Sequence, residues 1–314
     1  MNIDDIWHTL LLARLWVRQG KKPDNDRGYG LNDSRKLSAL SNGDRRTLLS
    51  WKQSIGWVSH SGINPDIQDF LDLYLPICNV FPEKPFFLGH LGQGLDGYIA
   101  TRSGHSHYVT GPENILHLHR MRAMCDAVLV GAGTVLQDNP QLTTREVEGE
   151  NPTRIVFDPK LRLPLNLNVF SDKQAKTLVF YDETQVSDAP NKIEGIKTIA
   201  IPMKNERFAF DELTSVLHKH KLMTIFVEGG GKTVSGFLEA GLLNRLQVAI
   251  APLVLGEGMP GISLSGRQRI KDCLRLPHRV FRMGGDVLFD CDLSNPDGQT
   301  EADHREFSGI SRVL

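Results

Sequence analysis

The chain has 314 residues and sets 36 Lys plus Arg against 37 Asp plus Glu, a formal charge of −1. That balance provides no general field to gather nucleic acid or an acidic membrane surface, so any anion specificity has to be built locally. With 40% hydrophobic and 23% charged residues the composition is that of a globular chain. Its length predicts a catalytic domain of about 200 residues beside a smaller unit.

In chain order, Ile3, Ile6, Trp7, Leu10, Leu11 and Leu15 recur at helical spacing and predict an amphipathic helix with a face to bury. Residues 20–64 are rich in Gly, Asn, Asp, Ser and Lys, with a second apolar set at Leu48, Leu49, Trp51, Ile55, Trp57 and Val58. Residues 1–82 are therefore expected to form a small, irregular, mainly helical unit with no assigned role. Pro76, Pro82 and Pro85 punctuate the chain and place a boundary near residue 83.

Short apolar runs then alternate with helical stretches. Phe86 to Leu91, Ala127 to Val130, Arg154 to Phe157, Thr177 to Phe180, Thr198 to Ile201 and Thr224 to Val227 have strand length and are rich in β-branched or aromatic residues. Leu246 to Leu255 is a longer strand candidate. Pro112 to Met124 and Val234 to Ala240 read as helices, the second stopped by Gly241. This alternation predicts an α/β fold with a mostly parallel sheet covered by helices. His278 to Met283 and Asp286 to Asp292 flank Gly284-Gly285, the two-residue turn of an antiparallel hairpin. Residues 83–293 are the expected catalytic domain, and residues 294–314 a polar, mobile tail.

Cys78, Cys125, Cys273 and Cys291 contain no close pair, which disfavours a zinc knuckle or a redox dithiol and points to thiols in a reducing cytosol. No window reaches the roughly 18 to 20 apolar residues of a membrane span. The start of the chain mixes Asp4, Asp5, Arg14 and Arg18 into its apolar rhythm, unlike a secretory leader.

Three clusters carry candidate chemistry. Val227-Glu228-Gly229-Gly230-Gly231, followed by Lys232 and Thr233, joins a strand to a helix. Such a turn presents backbone N–H groups at a helix N-terminus, where a phosphate is favoured, although the same sequence also serves as a tight structural connection. It is neither a Walker A loop nor a first-strand G-x-G-x-x-G. The second cluster runs from Gly131 to Arg145 and follows a strand, so its small residues lie at the carboxyl end of the sheet, where open α/β sheets bind ligands. The third comprises Leu95-Asp96-Gly97 and Ser103 to Tyr108. Asp96-Gly97 alone is first of all a turn, and His105 and His107 lack an acidic ligand at metal-site spacing, so no metal is expected.

Together the clusters form an ordered series. Leu-Asp-Gly is followed by Gly-x-Ser with an aromatic residue, then by His119-x-x-Arg122 before a strand and by Gly133-Thr-Val-x-x-Asp138-x-Pro-x-Leu142-Thr-x-Arg145. Pro152-x-Arg154-x-x-x-Asp158, Val227-Glu-Gly-Gly and Ala251-Pro-x-x-x-Gly256 complete it. Over residues 83–293 this resembles the reductase half of the bifunctional riboflavin-biosynthesis deaminase/reductase family. The family's ordered zinc signature, His-x-Glu with a later Pro-Cys-x-x-Cys, does not occur, so no deaminase half is expected.

The resemblance implies a three-layer, dihydrofolate-reductase-like α/β/α fold, and NADPH as the reductant of a 5-amino-6-(5-phosphoribosylamino)uracil-type ribosyl group to its ribityl form. It assigns Ser106, Arg122, Leu142, Arg145 and Glu228 to substrate, with Arg122 and Arg145 on the 5′-phosphate. It assigns Gly92, Tyr108, Thr134, Asp138, Gly230, Gly231, Lys232, Thr233, Val234, Ser235 and Gly236 to the cofactor. Asp96 and Glu228 are the carboxyls expected to deliver a proton, and a cytoplasmic homodimer is implied.

His90 and Gly94 depart from the family's usual Lys and Ser, Tyr108 stands where Trp is common, and Lys232 and Thr233 replace smaller or apolar residues. These departures keep two alternatives in view: a same-fold reductase of a related pyrimidine or flavin side pathway, and a non-catalytic nucleotide-binding protein. Dihydrofolate reduction is weaker, because a pterin pocket has no use for paired phosphate-facing arginines.

Overall fold

The computed structural model describes residues 2–81, 83–186, 195–204 and 207–294. Pro82 and residues 295–314 of the expected polar tail lie outside the described residues.

Helix α1 (Ile3–Arg18) starts where Asn2 accepts the Asp5 N–H at 2.8 Å, with Asp4 and Asp5 in its first turn and Arg18 in its last. This is the charge order that the helix dipole favours. Strands β1 (Gly28–Leu31), β2 (Leu37–Ala39), β3 (Leu49–Lys52) and β4 (Gly56–Ser59) follow, and then helix α2 (Pro65–Cys78). The four strands form an antiparallel sheet in the order β2-β1-β3-β4. Beside its two helices the unit therefore carries a small sheet that the sequence pattern does not announce. Each strand is only three or four residues long, too short to print an alternation. They are held by cross-strand aromatic packing such as Trp51 against Trp57, with centroids 5.1 Å apart.

Pro76, expected to break the chain, sits inside α2. It has no N–H for the carbonyl of Asp72 four residues back, and Arg279 Nη2 donates to that carbonyl at 2.7 Å instead.

Among the described residues the main sheet has nine strands: β5 (Phe86–Gln93), β7 (Ala127–Gly131), β8 (Thr153–Phe157), β9 (Thr177–Tyr181), β10 (Ile196–Ala200), β13 (Thr224–Glu228), β14 (Arg245–Ile250), β16 (His278–Met283) and β17 (Asp286–Asp292). The gaps in that numbering are β6 (Tyr98–Thr101), β15 (Gly258–Pro260), and the two-residue strands β11 (Met203–Lys204) and β12 (Arg207–Phe208). Strand order is β10-β9-β8-β7-β13-β5-β14-β17-β16. Every pair from β10 to β14 is parallel, and the last two pairings are antiparallel, β16 and β17 being joined by the expected Gly284-Gly285 hairpin. The remaining helices are α3 (Pro112–Met124), α4 (Ala132–Asp138), α5 (Asn168–Ser171), α6 (Phe210–Lys219) and α7 (Gly231–Glu239). Helix α7 begins three residues before the predicted start, and the long strand predicted to Leu255 ends at Ile250.

Side chains alternate across the sheet as period-two geometry requires. Leu88, Val128, Val130, Val156 and Phe226 join one core with Met121 and Met124 of α3. Phe87, Leu129, Ile155, Ile225 and Val227 join the other with Leu213 and Leu217 of α6 and Phe237 of α7. Helices thus cover both faces, giving three layers.

Leu10, Trp57, Leu71 and Tyr74 belong to the same buried cluster as Leu88 and Val128, so the first helices pack directly on the sheet's α3 side. Arg14 is buried there, donating to the carbonyls of Val80 and Met124 and to Thr224 Oγ1. Arg18 pairs with Asp126 at 2.8 Å, and the other oxygen of Asp126 accepts the N–H groups of Met223 and Thr224.

Candidate active site

The site lies at the carboxyl ends of β7, β13 and β5. Glu228 ends β13, in register with His90 on β5. From α3, Arg122 reaches it: Nε donates to Glu228 Oε2 at 2.8 Å, Nη2 donates to Oε1, and Nη1 donates to the Thr143 carbonyl at 3.1 Å. Arg145 Nη1 donates to Thr143 Oγ1 at 3.0 Å. Thr143 therefore joins two guanidinium groups, one through its carbonyl and one through its hydroxyl. Arg122 is buried while Arg145 is exposed, so the Arg122 fork is engaged by Glu228 and Arg145 faces the open side.

The backbone reaches this geometry through Leu142, buried at a left-handed φ of +55°. That conformation is strained for a side chain with a Cβ and needs surrounding structure to hold it. His119 helps: its Nδ1 accepts the Arg145 N–H at 3.1 Å. As an acceptor the ring is neutral, and burial, aided by the positive charges of Arg122 and Arg145, pushes its pKa down to about 4. His90 is likewise pushed down to about 4, chiefly by burial, and its Nε2 lies 3.1 Å from Asn114 Oδ1.

Immediately after Glu228 the chain enters the glycine turn. Gly230 caps α7 at φ +68°, and a Cβ there would stand 3.0 Å from Thr134 Oγ1. Gly131 faces the turn from β7, where a Cβ would meet Thr233 Oγ1 at 2.7 Å. At Gly231 a Cβ would run into the carbonyl oxygens of Pro260 and Gly261, so only glycine lets these backbones pass. Beside the turn opens a cleft of about 200 Å³ whose lining includes Phe157, Phe208, Phe237, Lys232, Thr233 and Gly236.

Within the expected cofactor run, Lys232, Thr233 and Gly236 line this cleft. Val234 and Ser235 do not. The helical turn buries Val234 in the core and aims Ser235 at the following loop, where its Oγ accepts the Ser263 N–H at 2.8 Å. Thr134 faces the glycine turn, and Gly92 lies on β5 against Thr110. Ser106, expected on substrate, and Asp138, expected on cofactor, are bonded to each other at 2.9 Å. Tyr108 is held at φ +65° with 86% of its surface exposed. Asp96 is exposed, and its carboxylate accepts the Gly256 N–H at 2.8 Å. The structure thus gives Asp96 a turn-holding bond and not a place in the Arg122–Glu228 group.

The motif residues Arg154 and Asp158 are structural. Arg154 is buried and pairs with Asp172 at 2.6 and 2.8 Å, while Asp158 accepts the Leu163 N–H. Sequence reasoning missed Thr143 and His119, although both lie inside motifs that it quoted. It also missed the aromatic lining. Phe157, at the end of a predicted strand, could have been found from the rule that ligands gather at carboxyl ends; Phe208 carried no signal. Among the described residues no group of three or more His, Cys, Asp or Glu could hold a metal ion, and no helix is long and apolar enough to cross a membrane.

A family model described as the RibD C-terminal domain matches residues 86–287. The chain belongs to the RibD C-terminal domain family. It is 33% identical over 208 residues to riboflavin biosynthesis protein RibD of Aquifex aeolicus, covering 66% of this chain and 57% of that protein. It is 30% identical over 213 residues to a 2,5-diamino-6-ribosylamino-4(3H)-pyrimidinone 5′-phosphate reductase of Methanothermobacter thermautotrophicus, covering 65% of this chain and 96% of that one. Thus the chain spans little more than half of the RibD protein but nearly all of the shorter reductase.

Among solved structures, the diaminohydroxyphosphoribosylaminopyrimidine deaminase/5-amino-6-(5-phosphoribosylamino)uracil reductase of Thermotoga maritima superposes with a TM-score of 0.57 at 25% identity, over 72% of this chain and 61% of that one. The yeast riboflavin biosynthesis reductase Rib7 shares the fold, with a TM-score of 0.58 at 24% identity over 72% of this chain and 99% of that one. The RibD C-terminal match starts at residue 86, which leaves α1, β1 to β4 and α2 outside it.

Proposed function

We propose that the chain is an NADPH-dependent reductase of a ribosylaminopyrimidine 5′-phosphate, of the 5-amino-6-(5-phosphoribosylamino)uracil type, converting a ribosyl to a ribityl group in riboflavin biosynthesis. One observation carries the reading: Thr143 brings Arg145 and Arg122 together beside Glu228, directly ahead of the glycine turn. An anion site and a nucleotide cradle then meet at Glu228.

The residues fit a nicotinamide dinucleotide. Gly131, Thr134, Gly230 and Thr233 leave a hollow that added Cβ atoms would fill, and the aromatic cleft beside them suits a flat heteroaromatic ring. When bound, that cofactor supplies the reducing equivalents for the sugar's C1′. The chain's own work is placement. Arg145 offers its exposed guanidinium to the phosphate, with Arg122 behind it. Glu228, oriented by Arg122, presents carboxylate oxygens that accept from sugar hydroxyls or from the water that carries the proton. Tyr108, exposed and aromatic, is available to stack on a ligand ring.

We further assign the protein to the cytoplasm, in keeping with its four free thiols, and to a homodimer, with β16 as the sheet edge that needs cover.

The test is consumption of NADPH with the deaminated and undeaminated ribosylaminopyrimidine phosphates offered separately. Turnover of one or both is expected. Cofactor binding without oxidation of NADPH by either would defeat the assignment. A related side-pathway substrate is favoured by one feature, His90: a buried, neutral imidazole stands where the family usually has a lysine cation.

A further inference from the structure

The loop that carries Leu142, Thr143 and Arg145 is held by the unit outside the family match. On α1, the buried Trp7 donates its indole N–H to the carbonyl of Glu148 at 2.8 Å. The next residue, His8, meets the Glu148 carboxylate through Nδ1 at 2.8 Å and the Arg35 carbonyl through Nε2 at 3.0 Å. Arg35 is tied back to α1 by its ion pair with Asp5 at 2.6 Å. Trp7 itself is fixed by an edge contact with Tyr74 of α2, centroids 5.5 Å apart, and Arg120 of α3 lies over Phe70 and within 6.0 Å of Tyr74.

Other supports hold the loop on either side of Glu148: the Thr144 hydroxyl donates to the Glu150 carbonyl at 3.1 Å, and Val147 packs against the core. The Arg145 N–H is fixed by His119, and the Thr144 N–H by Asn151 at 2.7 Å. Glu148, between Arg145 and Asn151, is bonded from α1 by two consecutive residues. Side chains at neighbouring helix positions point in different directions, so Glu148, which meets both through its carbonyl and its carboxylate, lies across the second turn of α1.

We propose that Trp7 and His8 are positioning residues for substrate phosphate, acting through Glu148 on the loop that presents Arg145. The N-terminal unit is then part of the substrate site and not a separate module. This rests on the reading that Arg145 receives a phosphate.

The experiment compares Trp7→Phe, which keeps an aromatic ring, though a smaller one, and loses the N–H, and His8→Ala with the unaltered full chain. Each is assayed on the phosphorylated substrate and on its dephosphorylated ribosyl counterpart. Loss of one loop-ordering hydrogen bond is expected to raise KM for the phosphorylated substrate by about 5- to 10-fold. The KM for NADPH, kcat and the rate on the dephosphorylated compound should stay as they were. A merely structural role would lower all rates alike and leave the preference for phosphate unmoved, which would overturn the proposal. His8→Ala lies at a less buried position and serves if Trp7→Phe fails to fold. Arg145→Ala separates the two levels of the argument. If it weakens phosphate preference while neither α1 variant does, the positioning role falls alone; if Arg145→Ala is without effect, the phosphate reading falls and the proposal with it.

Discussion

Arg122 and Glu228 form a two-point ion pair at the carboxyl end of the central strand, two guanidinium nitrogens on two carboxylate oxygens. Each side chain fixes the other's rotamer, and planar fork geometry is what a lysine cannot reproduce. Glu228→Gln is expected to lower kcat/KM by about 10²- to 10³-fold, with KM for the cofactor little changed. Arg122→Lys should also lose activity despite keeping the charge. Steady-state kinetics on purified variants check both, and an Arg122→Lys enzyme with unaltered kcat/KM would contradict the orienting role.

Asp96 makes the opposite prediction. Its carboxylate accepts one backbone N–H, from Gly256, and an asparagine oxygen does the same. Asp96→Asn should keep its turnover within about twofold of the parent, whereas an acid in the reaction would lose about 10²-fold or more. Initial rates at saturating substrate distinguish the two.

The stability of the protein should fall in mild acid. His117 is buried between Tyr74 Oη and Gln247 Oε1, each 2.8 Å away, and burial pushes its pKa down to about 3, as it pushes His90 to about 4, from an ordinary 6.5. Because the folded values lie below the unfolded one, the unfolded chain binds more protons in this window. The stabilisation is complete above pH 6.5 and is lost as pH falls toward 4 and then 3. Each ring adds a slope approaching about 1.4 kcal/mol per pH unit. Denaturant titrations at several pH values should show this slope, and His117→Gln should remove one proton's share of it.

At the glycine turn, Gly231→Ala places a methyl against two backbone carbonyls that cannot swing aside. A loss of about 1 to 3 kcal/mol is expected, visible as a lower unfolding midpoint. Lys232→Ala removes a cation from the cleft without crowding it. It should raise KM for the cofactor by about tenfold or more and leave the midpoint alone.

Much of this arrangement was legible in the residues. Strands such as Ala127–Gly131 and Thr224–Glu228 are continuous apolar runs because both faces are covered, and such runs are hard to mistake. The hairpin around Gly284-Gly285 was read to the residue. The first sheet was not, because strands as short as Leu37–Ala39 are specified by distant aromatic contacts and not by their own pattern. Helix α2 was hidden by Pro76, whose cost is met from outside the helix. In the site, the residue types were visible but their partners were not. Arg122 and Arg145 both looked like phosphate ligands, and only tertiary packing gives the first to Glu228. Val234 and Ser235 were carried along by a contiguous run, although a helix shows a ligand only some of its successive residues.

The bond from Arg279 to the Asp72 carbonyl couples segments 207 positions apart, in time as well as in space. A ribosome releases α2 first, yet the donor for that carbonyl sits on β16, which emerges 207 positions after its acceptor. The final turn of α2 therefore stays open to water until the closing hairpin has docked, so a nascent chain halted before β16 would carry the earlier helices with one of them still frayed.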